Sequence, residues 1–265
     1  MKREFEVLQQ CLKTAGALAR QHLGKVNYRL KGRANLVTQA DIACQQAILQ
    51  LIKKNFPQHD FLAEENGLKS TGSAWRWVID PIDGTTNFAH TMPHFSISVA
   101  LAYKNEIMLG GVYDVCSDEM FLARKGKGAT LNGKKIHVSS VSKIENALLV
   151  TGFPYVREKR MDELLLRFRN FILACHDIRR LGSAALDMCW VASGRFDGYW
   201  EDALNPWDIS AGKLIVEEAG GKVTDFSGKP WKDLCTFGMQ TLVSNSKIHR
   251  QMCAIIKRSH PESGR

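Results

Sequence analysis

Residues 77–88 read WVIDPIDGTTNF. An aromatic and β-branched run ends in two aspartates three positions apart, with a proline between them. WRWVID (75–80) has the residue types that suit a half-buried pleated surface, so it is expected as a strand. Pro81 fixes its own φ and lacks an N–H, so the strand is expected to stop there. The turn then lets Asp80 and Asp83 flank one point while the Ile82 carbonyl stays free. Gly84 permits tight backbone, and Thr85 and Thr86 add hydroxyls. The N–H groups that follow open a helix, a place that favours phosphate. By itself DxxDGT also reads as an Asp-rich turn that caps a helix.

Outward from this stretch, DFLAEE (60–65), FSISVALAY (95–103), IMLGGVYDV (107–115), EMFLARK (119–125) and ENALLVTGF (145–153) are expected as strands. GKGATLNGKKI supplies turn chemistry. Apolar residues at helical spacing predict helices over 3–23, with Gly24 at its end, and over 40–55, with Asp41 in its first turn. The second half alternates. Helices are expected over 161–175, 183–194, 207–221 and 246–258. Strands are expected around HDIRRLG, at 196–201, and in GKVTDF and QTLVSN. No internal repeat or low-complexity linker interrupts the chain. The best boundary between halves lies near 150–160, giving one domain with halves of about 1–150 and 151–258 and a tail at 259–265.

The 265 residues are 45% hydrophobic and 24% charged, enough to bury a large core without disulfides or a structural metal. Seven cysteines, an odd number with no CxxC, point to free thiols in a reducing compartment. No apolar run approaches the roughly 20 residues of a membrane span, and the N-terminus lacks the apolar core of a signal peptide, so a cytoplasmic location is expected. Lys plus Arg exceeds Asp plus Glu by 36 to 27, a net charge of +9. That charge fits solubility, a field for anionic small molecules, or a nucleic-acid partner, although no dense basic block favours a nucleic-acid arm.

Four acidic clusters end apolar stretches: Glu64 and Glu65, Asp80 and Asp83, Glu201, and Asp208. Oxygen donors at strand ends and helix starts suit a hard cation such as Mg²⁺. The histidines form no HExxH pair, and His90 and His94 read as loop or core-facing residues.

DPIDGTTNF, the upstream AEE and the downstream WDISAG together resemble the inositol monophosphatase family. These are lithium-sensitive, magnesium-dependent phosphomonoesterases, alongside fructose-1,6-bisphosphatases and nucleotide 3′-phosphatases. The resemblance runs from LVTQAD near residue 36 to the EAGG that ends the WD helix. It implies an α+β fold, a layered αβαβα sandwich, and a homodimer. It also implies hydrolysis of inositol monophosphate, or a similar small polyol phosphate, by a metal-activated water with two to three Mg²⁺ ions. Glu64, Asp80, the Ile82 carbonyl, Asp83 and Asp208 would hold the metals, with Asp80 bridging. Thr85 would orient the water, with Asp41 as its hydrogen-bond partner, and the N–H groups of Gly84 and Thr85 would cradle the phosphate. RRLGSAALD (179–187) is similar to the bacterial branch and implies that Gly182, Ser183 and Ala184 line the polyol pocket, with Glu201 accepting from substrate hydroxyls. Lys31 matches a basic residue ahead of the VT motif, and Arg179 and Arg180 reach substrate, a partner subunit or surface ion pairs.

Two positions depart from the pattern. Ala63 stands where a Gly precedes the two glutamates, and Asn35 where an acidic residue precedes VT. Neither donates to the metals in the family pattern, so activity is expected to survive, with an effect on metal affinity through surrounding contacts. Histidinol phosphate, fructose 1,6-bisphosphate and adenosine 3′,5′-bisphosphate are alternative substrates for the same chemistry. A regulatory protein that binds RNA or the transcription machinery is the alternative of another class.

Overall fold

The computed structural model describes residues 1–25, 28–30, 36–65 and 67–259. Lys31 and Asn35 lie outside the described residues. The first half of the chain runs α1 (Lys2–His22), β1 (Tyr28–Leu30), β2 (Leu36–Thr38), α2 (Gln39–Asn55), β3 (Asp60–Ala63), β4 (Gly67–Lys69), β5 (Trp75–Asp83), α3 (Thr85–Ala89), β6 (Ser96–Tyr103), β7 (Glu106–Asp114), β8 (Glu119–Arg124), β9 (Ala129–Leu131) and β10 (Lys134–Lys135). The second continues with β11 (Leu148–Thr151), α4 (Met161–Ile172), β12 (Asp177–Arg179), α5 (Ala184–Ala192), β13 (Gly198–Asp202), α6 (Pro206–Glu218), β14 (Lys222–Thr224), β15 (Gln240–Ser244) and α7 (His249–Arg258).

Strands β3 to β10 form an eight-stranded sheet in the order β10-β9-β8-β7-β6-β5-β3-β4, and β11 to β15 a five-stranded sheet in the order β12-β11-β13-β15-β14. Alternation along the strands feeds three separate cores. Trp77, Ile79, Val99 and Leu101 point to one side of the large sheet and pack on Leu8 and Leu12 of α1 and Ile48 of α2. Val78, Ala100 and Ala102 point to the other side, against Ile209 and Ile215 of α6, Leu186 of α5, and Tyr199 and Val243 of the second sheet. Leu149, Trp200 and Leu242 on the far side of that second sheet meet Phe171 of α4 and Met252 and Ile256 of α7. Three cores between five layers make the αβαβα sandwich that the sequence led us to expect.

Two glycines in β7 let helices approach the large sheet from both sides. A Cβ on Gly110 would lie 2.8 Å from the Ala211 carbonyl oxygen of α6, and one on Gly111 2.6 Å from a Leu8 methyl of α1.

The expectation that Pro81 stops the strand is corrected. Strand β5 continues to Asp83, because the lost donor is absorbed by a register shift rather than by an end to pairing. Asp80 lies opposite Ser98 and Asp83 opposite Ser96, so three steps on β5 match two on β6. That extra residue is a β-bulge. Its consequence is directional. In a regular strand residues three apart face opposite sides, whereas Ser96 and Ser98, two apart, face the same side. The bulge therefore turns both carboxylates toward the α5–α6 layer.

Candidate active site

The parallel pairing of β3 with β5 sets Ala63 beside Ile79, so the next residue on each strand, Glu64 and Asp80, emerges side by side. The Glu64 N–H donates to the Ile79 carbonyl at 3.3 Å. Asp83 leads into Gly84, whose φ of +93° suits glycine. A Cβ there would also meet the carbonyl oxygens of Gly182 at 3.1 Å and His94 at 3.2 Å. The backbone then enters α3, whose first N–H groups have no partner within the helix.

Helix α6 delivers Asp208. Pro206 occupies its first turn, where a missing N–H costs nothing. The Asp208 Oδ2 accepts the Asn205 N–H at 2.7 Å, which orients the carboxylate at the helix start. Helix α2 delivers Asp41 through a reciprocal capping box with Thr38. The Thr85 hydroxyl lies 3.1 Å from Asp41 Oδ1 and 3.0 Å from the Ile82 carbonyl, two acceptors for its single proton.

These elements converge on a cleft of about 360 Å³. Glu64, Asp80, Ile82, Asp83, Gly84, Thr85, Gly182, Ala184, Glu201 and Asp208 line it. Asp41 and Ser183 stand behind the lining. Asp41 is fully buried and reaches the cleft through Thr85. The Ser183 hydroxyl donates to Asp83 Oδ2, which also accepts the Ala185 N–H at 2.8 Å, while Oδ1 accepts the Ala184 N–H at 3.2 Å. The first turn of α5 thus holds Asp83 from the rear. Arg180 lines the cleft, whereas Arg179 pairs with Asp177 at the surface. His90 is exposed and His94 buried.

The electrostatics are those of crowded carboxylates. Burial pushes Asp80 well above the usual carboxylate range, and the charges of Glu64, Asp83 and Asp208 add to the effect. Asp208 is pushed up by burial, against the opposing Asn205 N–H, with Asp83 and Glu64 raising it further. Burial also raises Asp83, although the Ser183, Ala184 and Ala185 donors oppose it. Glu201 is raised to about 8, again chiefly by burial, while the Tyr199 hydroxyl that bonds it at 2.6 Å acts the other way. Arg180 is the only cationic side chain among the described residues that line the cleft.

A hard divalent cation fits this donor set, since it would offset the clustered negative charge and accept only oxygen ligands. Asp80 Oδ1 accepts the Ile82 N–H at 3.1 Å and Asp208 Oδ2 the Asn205 N–H, so each carboxylate is steered by one oxygen and presents the other. Among the described residues, no three carboxylate, imidazole or thiol groups form a closed ligand cluster by themselves. Acidic groups without a cation repel one another, and backbone carbonyl and water oxygens complete such sites.

The geometry agrees with relationships found by comparison. Residues 2–260 match the model of the inositol monophosphatase family. The chain belongs to that family. Among its members, the inositol-1-monophosphatase of Synechocystis is 42% identical over 251 residues, which cover 94% of this chain and 86% of the relative. A Nus factor SuhB of Pasteurella multocida is 45% identical over 200 residues, 75% of each chain. The solved inositol monophosphatase of Anabaena superposes with a TM-score of 0.89 at 38% identity, covering 99% of this chain and 98% of that one. Membership in the inositol monophosphatase family supports phosphatase activity for the chain.

Sequence reasoning passed over several residues of this site. Phe153, Pro154 and Tyr155 form a wall from the loop after β11, and Trp207 adds another. Phe153, Pro154 and Tyr155 lie in a segment without a motif, and Trp207 stands inside WDISAG, where the signal belongs to Asp208. Nearby, both Asp187 oxygens, His94 Nε2 and Trp190 Nε1 are buried without a hydrogen-bond partner among the described residues. His94 Nε2 lies 3.7 Å from Asp187 Oδ1.

Proposed function

We propose that the protein hydrolyses phosphate monoesters of small polyols, inositol monophosphate foremost, with two to three Mg²⁺ ions. The observation that carries this reading is the convergence of Glu64, Asp80, Asp83 and Asp208 in one cleft, where burial raises the three aspartates and neighbouring carboxylates push Asp80 and Asp208 further. Magnesium, when bound, supplies positive charge for the phosphoryl oxygens and for water activation. In this reading Glu64, Asp80, the Ile82 carbonyl, Asp83 and Asp208 hold it. Thr85 orients the water, and Asp41 accepts the hydrogen bond from the Thr85 O–H and so sets the direction of the hydroxyl lone pairs. The Gly84 and Thr85 N–H groups receive phosphate oxygens, and Gly182, Ala184 and Glu201 face the alcohol. Ser183 acts through Asp83.

Monoester hydrolysis requires barrier lowering on the order of 20 kcal/mol. Acid–base help from side chains supplies about 10²–10⁴-fold, so charge and positioning carry most of the rate. The test is phosphate release from inositol 1-phosphate with and without Mg²⁺, together with Asp80→Asn. Activity that depends on Mg²⁺ and vanishes in a folded Asp80→Asn protein is expected; retained activity refutes the assignment. A panel with histidinol phosphate, fructose 1,6-bisphosphate and adenosine 3′,5′-bisphosphate ranks the substrate, and inhibition by tens of millimolar Li⁺ is expected.

The SuhB relatives motivate a second reading, in which the chain also contacts RNA or the transcription machinery, consistent with its net charge of +9. Gel shift with RNA at physiological ionic strength tests it. No binding there removes it.

A further inference from the structure

We propose that Tyr199 and Gly152 are positioning residues that hold the Glu201 carboxylate in its place in the cleft, so that the preference for polyol esters over esters without a free hydroxyl depends on both. The inference rests on the phosphatase reading above and adds to it two residues that stand behind Glu201.

The placement follows from strand geometry. Tyr199 and Glu201 are two apart on β13 and so face the same side. Tyr199 is fully buried in the middle core, and its hydroxyl donates to Glu201 Oε2 at 2.6 Å. The phenol is thus a rigid peg at the base of the carboxylate. Strand β11 runs parallel to β13 with Thr151 opposite Trp200, so the next residue, Gly152, arrives beside Glu201. The Thr151 hydroxyl donates to the Trp200 carbonyl at 2.7 Å and ties the strands at this level.

Gly152 is glycine for space. Its φ is not in the left-handed region, yet a Cβ there would lie 2.0 Å from Glu201 Oε2, 2.3 Å from Oε1 and 2.2 Å from Cδ. Any side chain at 152 must expel the carboxylate from its seat. With Oε2 held by Tyr199, no described residue donates to Oε1, and Glu201 lines the cleft. An acceptor fixed in this way is matched by a hydroxyl donor on the alcohol part of the ester. An ester without one leaves it unpaired, and a site built to bond a substrate hydroxyl discriminates strongly against analogues that lack it.

The experiment compares wild type, Tyr199→Phe and Gly152→Ala on two esters, inositol 1-phosphate and phenyl phosphate, at saturating Mg²⁺. The readout is the ratio of kcat/KM between them, split into kcat and KM, with melting curves to verify folding. The ratio is expected to favour the polyol ester in wild type. It should fall about fivefold in Tyr199→Phe and tenfold or more in Gly152→Ala, mainly through KM of the polyol ester. A ratio unchanged in both variants, whether the esters lose together or neither loses, overturns the proposal while leaving the phosphatase reading standing. Should Gly152→Ala fail to fold, Tyr199→Phe, which deletes a single hydroxyl, decides alone. A wild type that hydrolyses neither ester refutes both.

Discussion

Gly110→Ala and Gly111→Ala form a matched pair that tests how the fold holds its site. Both glycines are on β7, one facing α6 and the other α1. A methyl at 110 meets backbone, the Ala211 carbonyl oxygen at 2.8 Å and Cα at 3.2 Å. Reaching the ordinary contact distance of 3.4 Å requires α6 to retreat by about 0.6 Å. A methyl at 111 meets the ends of flexible side chains, Leu8 at 2.6 Å, Leu12 at 2.7 Å and Leu122 at 3.1 Å, which reorient without moving backbone. Overpacking costs about 1–3 kcal/mol, and alanine recovers about 0.4–1 kcal/mol by narrowing the unfolded ensemble. Gly110→Ala should therefore lose about 1–2 kcal/mol in urea denaturation.

The sharper difference is functional. Ala211 is less than one helical turn from Asp208, so a retreat of α6 carries that carboxylate outward. Displacement of this size exceeds the tolerance of about 0.5 Å for a working ligand set. The Mg²⁺ midpoint, from activity against Mg²⁺ concentration and from calorimetry, should rise several-fold in Gly110→Ala and stay put in Gly111→Ala. Equal shifts in the two variants, or none in Gly110→Ala, would refute the link between sheet-to-helix distance and the site.

Other outcomes are equally specific. His249 is buried, with Thr224 and Ser244 hydroxyls at 3.0 and 2.8 Å from its ring nitrogens, and burial together with Lys222 lowers its pKa to about 4. The unfolded chain then binds a proton that the folded one refuses. The contribution of His249 is thus fully present above pH 6.5 and lost as pH falls toward 4, by up to about 3 kcal/mol at about 1.36 kcal/mol per unit. Urea midpoints of His249→Gln should show a correspondingly weaker acid dependence than wild type. Arg167 and Asp202 form a buried ion pair joining α4 to β13. Arg167→Met leaves Asp202 with Arg160 as its remaining partner at 3.1 Å, so it should cost less than the about 3–5 kcal/mol of a fully stranded buried charge, and an unchanged melting curve would show that the pair contributes nothing. Asp80→Asn should raise the melting temperature measured without Mg²⁺, because an amide relieves the burial and repulsion that penalise an Asp80 carboxylate.

The order of strands and helices was readable along the chain because each element carries its own period: alternation in WRWVID and FSISVALAY, helical spacing in α1 and α2. The short pieces β4 and the paired β1 and β2 escaped, since three residues hold too little periodicity. For the site, the acidic residue types and their order, from Glu64 through Asp80 and Asp83 to Asp208, could be named as candidates from local motifs.

Direction could not. Reading Pro81 as a stop was reasonable locally, but pairing with β6 carries the strand past it and converts the missing donor into a bulge that turns Asp80 and Asp83 to one side. Ser183 belongs to a pocket motif, yet its hydroxyl is spent on Asp83, one hundred residues earlier in the chain. Gly152 and Glu201 have no relation in sequence until β11 and β13 lie side by side. Sequence by itself determined which groups the chain carries and which local elements bear them. Which way those groups point, and whom they meet, was decided by strand register and helix packing, because both depend on partners distant along the chain.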